Sequence, residues 1–134
     1  MTQKQKILNF WFPVIVYSGI IYLVSAIPNL KTPSPEVNLD KVFHFGEYIP
    51  FGFLLSRALV KSSLPGPQAG ILAFILTVLY AISDEYHQSF VPGRSCDWHD
   101  ALADSLGGMA GAGIYLTKIR KALKVDGKLL EKEY

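Results

Sequence analysis

Apolar residues in this chain fall into four blocks, roughly 7–27, 42–60, 69–83 and 101–116, separated by short polar or proline-rich connectors. The first block runs from Ile7 to Ile27 without a charged residue. That meets the requirement of about 20 apolar residues for a helix to cross a hydrocarbon core. The second carries His44 and Glu47 in its opening turns, the third reaches spanning length only by continuing through Gln88, and the fourth contains Asp104. The pattern predicts an all-α integral membrane four-helix bundle forming a single domain over residues 1–134. An N-terminal signal peptide is the alternative reading of the first block, with Lys4 and Lys6 before an apolar core and Val24-Ser25-Ala26 as its cleavage site, but the apolar stretch exceeds the usual 7–15 residues.

The connectors sharpen these boundaries. Pro28 to Glu36 holds three prolines and predicts an extended loop, after which Asn38 or Asp40 is placed to cap the second helix. Pro50 lies about two turns inside that helix and predicts a kink that frees carbonyls inside the bundle. Residues 62–67 predict a short turn, and Phe90 to Cys96 a tight polar loop turning at Pro92-Gly93. The last block has small residues four apart, at Gly107 and Gly111 and at Gly108 and Ala112, which suits close helix packing within the bundle or a dimer face.

Composition supports a membrane setting: 50% of residues are hydrophobic and 13% aromatic, and the mean hydropathy is +0.26. Charge supplies the orientation. With four spans and both termini cytoplasmic, ten of the 13 Lys and Arg residues lie inside and only Lys31, Lys41 and Arg94 outside, as the positive-inside rule requires. The acids run the other way, eight of 11 outside. The basic tail from Lys118 to Lys128 reads as an inner-leaflet contact and not as a nucleic-acid site. Cys96 is the only cysteine, so no internal disulfide forms.

The outer acids have helical spacing. Asp40, His44 and Glu47 form one stripe, and Asp97, Asp100 and Asp104 another, while Asp84 lies four residues before Gln88. An unpaired acid at membrane depth costs about 2.5–3.5 kcal/mol even on a lenient scale, so these residues are expected to face the bundle interior together. The expected binding pocket holds Asp40, His44, Glu47, Tyr48, Asp84, Glu85, Gln88, Arg94, Asp97, Asp100 and Asp104. Arg94, the lone outer arginine, is expected to hold Glu85, Asp97 or Asp100 by a two-pronged hydrogen bond. Lys41, His99 and Glu36 are expected to be solvated. Three outer bases against eight acids imply shared protons, a cation or a cationic ligand. Asp40, His44, Glu47, Asp84 and Asp104 are the candidate ligands for a divalent cation, although no strict metal-binding spacing is present. His44, Glu47 and Glu85 are the candidate catalytic groups, and Ser83 is the nearest candidate nucleophile.

Together these residues resemble the VanZ-like family of small bacterial membrane proteins, named after a protein associated with low-level teicoplanin resistance. The resemblance covers about residues 40–115. It rests on Asp40, Lys41, His44, Tyr48 and Gly52, on Glu85, Gln88, Phe90, Pro92 and Arg94, and on Asp97, Asp100 and Gly107. Where the family pattern usually has Asn, this chain has Asp104. The resemblance implies a multi-pass protein of the bacterial cytoplasmic membrane and a link to glycopeptide tolerance. The expected partner is a membrane lipid, a lipid-linked envelope precursor or a glycopeptide, and no nucleic acid. Three functions are compatible with these residues: binding of a lipid headgroup or amphiphile, hydrolysis of an envelope lipid by a membrane-embedded and metal-dependent enzyme, and a structural or assembly role.

Overall fold

The computed structural model describes residues 1–29 and 39–130. The expected loop around Pro33 and Pro35, the cap at Asn38 and the solvated Glu36 lie outside these residues. Among the described residues the chain is helical, with four helices. Helix α1 comprises Gln3–Lys6, a π-helical turn Ile7–Trp11 and Phe12–Ser25 in direct succession. The π-turn has a local cause: Pro13 has no N–H to offer the carbonyl four residues back, and the N–H of Phe12 instead reaches the carbonyl of Ile7, five residues away.

Helix α2 spans Leu39–Lys61, α3 Gly66–Gln88 and α4 Trp98–Leu130. The third apolar block therefore does continue through Gln88, with Pro65 and Pro67 at the start of its helix. The fourth helix outruns its apolar block by 14 residues, carrying the basic stretch beyond Leu116 as helix. Helix α2 runs through Pro50 as one element. Pro50 and Gly46, whose carbonyl the proline leaves without its usual donor, both sit at exposed positions. The freed carbonyl thus belongs to the outer face, which corrects the expectation that it would lie inside the bundle.

Glycine determines how α2 and α4 meet. A Cβ added at Gly107 would lie 2.1 Å from the carbonyl oxygen of Phe45, one at Gly111 1.9 Å from that of Ile49, and one at Gly52 1.9 Å from that of Gly108. Gly107 and Gly111 are four apart, as are the two residues they meet, so one turn of each helix repeats the same contact. The Cα–H groups point at carbonyls across the interface, a weak hydrogen bond that recurs where helices touch closely. The small residues of α4 therefore serve packing inside the bundle. Helix α3 contributes a second narrow face, Ala69, Ala73, Thr77 and Ala81, each 0% exposed. Its four-residue repeat continues to Asp84, Glu85 and Gln88, which is why the end of α3 turns its acids inward.

Helix α1 is fastened by side chains to backbone carbonyls. Tyr17 donates its hydroxyl to the carbonyl of Glu47 at 2.8 Å, and Tyr80 donates to that of Ser18 at 2.6 Å. At one end Trp11 donates to the Ser62 hydroxyl at 3.0 Å and Arg57 lies over the Phe10 ring. At the other, the N–H of Asn29 reaches the carbonyl of Pro92 at 3.1 Å. The basic connector and tail thus share one end of the bundle and the acid-bearing segments the other, as the charge asymmetry requires. Ile15, Leu23, Ile71, Leu79 and Met109 are among the exposed apolar side chains that form the outer surface. Two helices, Lys4–Ser25 and Gly66–Gln88, are long and apolar enough to cross a membrane. Helices α2 and α4 fall short by composition because they carry the polar residues.

Candidate functional site

The acid end brings together the first turns of α2 and α4, the last turn of α3 and the loop between α3 and α4. His44, Asp84, Glu85, Gln88, Asp100 and Asp104 are all buried, with Glu85 2% and Asp104 0% exposed. His44 lies between two acids of α4: Nδ1 is 3.0 Å from Asp104 Oδ1, and Nε2 is 3.9 Å from Asp100 Oδ2. Lys41, one turn earlier on α2, donates to Asp97 at 2.7 Å and also bonds Asp100. Glu85 accepts the backbone N–H of Asp97 at 2.8 Å, which ties the start of α4 to the end of α3. Gln88 donates to Asp84 at 3.3 Å.

Lys41 is therefore not the solvated residue that the sequence suggests. It is the base that neutralises the mouth of the site. With His99, which bonds Asp97 through both its backbone N–H and its ring, it holds the Asp97 carboxyl well below the usual carboxylate range. Arg94 takes no such role: among the described residues no carboxylate lies within 4.0 Å of its guanidinium, which corrects the expected pairing with Glu85, Asp97 or Asp100. The reason is placement. Lys41 starts from the same helix end as the α4 acids, whereas Arg94 closes the turn opened at Pro92-Gly93, its N–H bonded to the carbonyl of Val91. Arg94 is half-buried, with Nε buried and unpartnered. Glu47 is also half-buried.

Several buried polar atoms have no partner among the described residues: Asp84 Oδ1, Glu85 Oε1, Asp104 Oδ2 and the Tyr48 hydroxyl. Buried polar groups are normally satisfied, so carboxylate oxygens left over in one place indicate a site shaped for something besides its own side chains. Two sets of donors come within 4.8 Å of one another, Asp40–His44–Asp100 and His44–Glu85–Asp104. Glu47 and Asp84, expected among the metal ligands, belong to neither set, while Glu85 and Asp100 take their places. Ser83 is exposed and bonds the carbonyl of Tyr80 at 2.8 Å, which removes the expected nucleophile from the carboxylate cluster. His99 is exposed, as expected. A cavity of about 620 Å³ lies at the opposite end, lined by Leu116, Leu123, Arg120 and Lys124, and plays no part in this cluster.

The sequence missed Lys41 and the two tyrosine hydroxyls that dock α1. The position of Lys41 immediately beside the Asp40–His44–Glu47 stripe, at the start of its helix, was the available signal; the tyrosines, placed among packing aromatics, gave none.

The arrangement gathers eight residues of the motif set, Asp40, Lys41, His44 and Tyr48 on α2, Glu85 and Gln88 on α3, and Asp97 and Asp100 at the start of α4. The VanZ/LLP1 family model matches residues 2–120. The chain belongs to the VanZ/LLP1 family. No curated protein and no solved structure matches it at a significant level. As a VanZ-like membrane protein it presents the family motifs on three different helices, and their polar groups meet at one end of the bundle.

Proposed function

We propose that this VanZ-like protein is a multi-pass protein of the bacterial cytoplasmic membrane, with both termini in the cytoplasm, and that its acid end binds the headgroup of an envelope lipid or amphiphile in the outer leaflet. The observation that carries this reading is the set of buried carboxylate oxygens at the acid end that have no partner among the described residues, with the half-buried Arg94 and Glu47 at the same end of the bundle. Among the described residues no carboxylate lies within 4.0 Å of the Arg94 guanidinium, and half-buried Glu47 enters no ion pair. A guanidinium suits a phosphate and a carboxylate suits an amine, so a headgroup carrying both satisfies both. The excess of acid behind them disfavours a purely anionic ligand. Sequestering such a lipid or lipid-linked precursor is the step through which glycopeptide tolerance, teicoplanin tolerance in particular, would arise.

Native mass spectrometry of the protein purified in a mild detergent should show retained lipid, and susceptibility to teicoplanin should track it. Arg94→Ala, His44→Ala and Glu85→Ala are expected to lower retention at least tenfold, while exposed His99→Ala leaves it unchanged. Asp104→Asn keeps size and hydrogen bonding, restores the usual family residue, and should retain insertion and part of the function. Equal retention across all five proteins would sink the reading.

Orientation is checked independently. Native Cys96 is exposed at the acid end, so it should react with a membrane-impermeant thiol reagent added to intact cells, whereas a cysteine introduced by Lys128→Cys in a Cys96→Ser background should react only after lysis. The reverse pattern would move the site to the inner leaflet.

A further inference from the structure

We infer that His44, Glu85 and Asp104, all more buried than the proposed headgroup contacts Glu47 and Arg94, form a binding site for one divalent transition-metal ion, Mn²⁺ or Zn²⁺ in class. The three residues come from three different helices, and one donor atom from each lies within 4.8 Å of the others. All three are buried. Metal–ligand bonds of about 2.1 Å place neighbouring ligand atoms about 3 Å apart and opposite ones about 4 Å apart, so the observed spacing closes around an ion with small side-chain movement. The contact from His44 Nδ1 to Asp104 is already 3.0 Å.

A second observation points to the ion. Glu85 Oε1 and Asp104 Oδ2 are buried without a partner among the described residues, with Glu85 2% and Asp104 0% exposed. Two carboxylates left short of donors inside a bundle are neutralised together by one doubly charged ion. Lys41 does not reach them, being committed to Asp97 and Asp100. His44 also has the outer partner that metal-binding imidazoles require. Asp104 faces Nδ1 at 3.0 Å, so Nδ1 is the nitrogen that takes the ion beside that carboxylate, and Asp100, 3.9 Å from Nε2, is the acid toward which the opposite N–H turns. An imidazole with two carboxylates favours a borderline ion over Ca²⁺ or Mg²⁺, which prefer all-oxygen sites. Three protein ligands leave coordination positions for an external oxygen, from water or from a headgroup phosphate.

The site shares the pocket of the proposed headgroup but does not depend on lipid being bound there. The full chain, stripped with a chelator and passed through a desalting column, is titrated with Mn²⁺ and with Zn²⁺, and the retained metal is counted per chain. About one ion per chain is expected, undisturbed by a hundredfold excess of Mg²⁺. His44→Gln and Glu85→Gln should each retain less than a tenth as much, while His99→Gln, which alters an exposed imidazole of the same end, retains the full complement; circular dichroism confirms that each variant is folded. Wild-type protein that retains no ion overturns the inference, as does equal retention in folded His44→Gln and Glu85→Gln. Lipid retention is scored on the same stripped sample, so failure of the metal site and failure of the headgroup reading are separate results.

Discussion

Gly111→Val should be the most damaging single change in the bundle. A Cβ at this position would sit 1.9 Å from the carbonyl oxygen of Ile49 and 2.9 Å from the N–H nitrogen of Phe53, and both are backbone atoms that cannot rotate away. Helices α2 and α4 would have to separate by about an ångström, and that would open the neighbouring Gly107–Phe45 contact as well. The cost is at the upper end of that for an overpacked core, about 3 kcal/mol or more. Unfolding by graded addition of sodium dodecyl sulfate to protein in mild detergent measures it. Gly113→Ala is the matched control: nothing lies within 4 Å of an added Cβ, and the change should be neutral or stabilising by up to about 1 kcal/mol through helix propensity. Equal destabilisation by the two substitutions would mean that α2 and α4 do not meet through these glycines.

The second large effect is expected at Lys41. Removing its charge with Lys41→Met leaves Asp100, buried between α2 and α4, without its counter-ion. Breaking a buried pair from one side costs about 3–5 kcal/mol. The lysine is 30% exposed and its second partner Asp97 35%, so solvent reduces the expected loss to about 2–3 kcal/mol. The double variant Lys41→Met/Asp100→Asn removes the stranded charge and should regain at least half of that loss. The same detergent titration reads both. A double variant as unstable as the sum of the two single ones would show that the two side chains are not coupled.

These two sites also show what the sequence made legible. Four helices, the site at one end of them and the packing role of small residues in the last helix were all readable, because each rests on periodicity or on the cost of charge in lipid. The inward turn of Asp84 and Glu85 was readable in principle as well, since both continue the register of Ala73, Thr77 and Ala81. The choice between Lys41 and Arg94 as partner of the acids was not. Spacing says which residues share a helix face but not how far one helix end stands from another, and that distance decides which cation arrives first. The end of α4 was equally hidden, because a charged helix leaving the membrane has no apolar pattern to mark its stop.

The pairs that close the acid end also impose an order on synthesis. Lys41 and Asp97 are 56 residues apart, and His44 and Asp104 are 60 apart. At roughly 5–20 residues per second a ribosome needs about 3–12 s to make the intervening chain. Through that interval α2 exists with its lysine, histidine and acids but without the helix that satisfies them, and by composition it does not belong in lipid on its own. In the proposed topology α1 and α3 can enter the bilayer as they emerge, whereas the polar groups of α2 meet their partners only once α4 has been made.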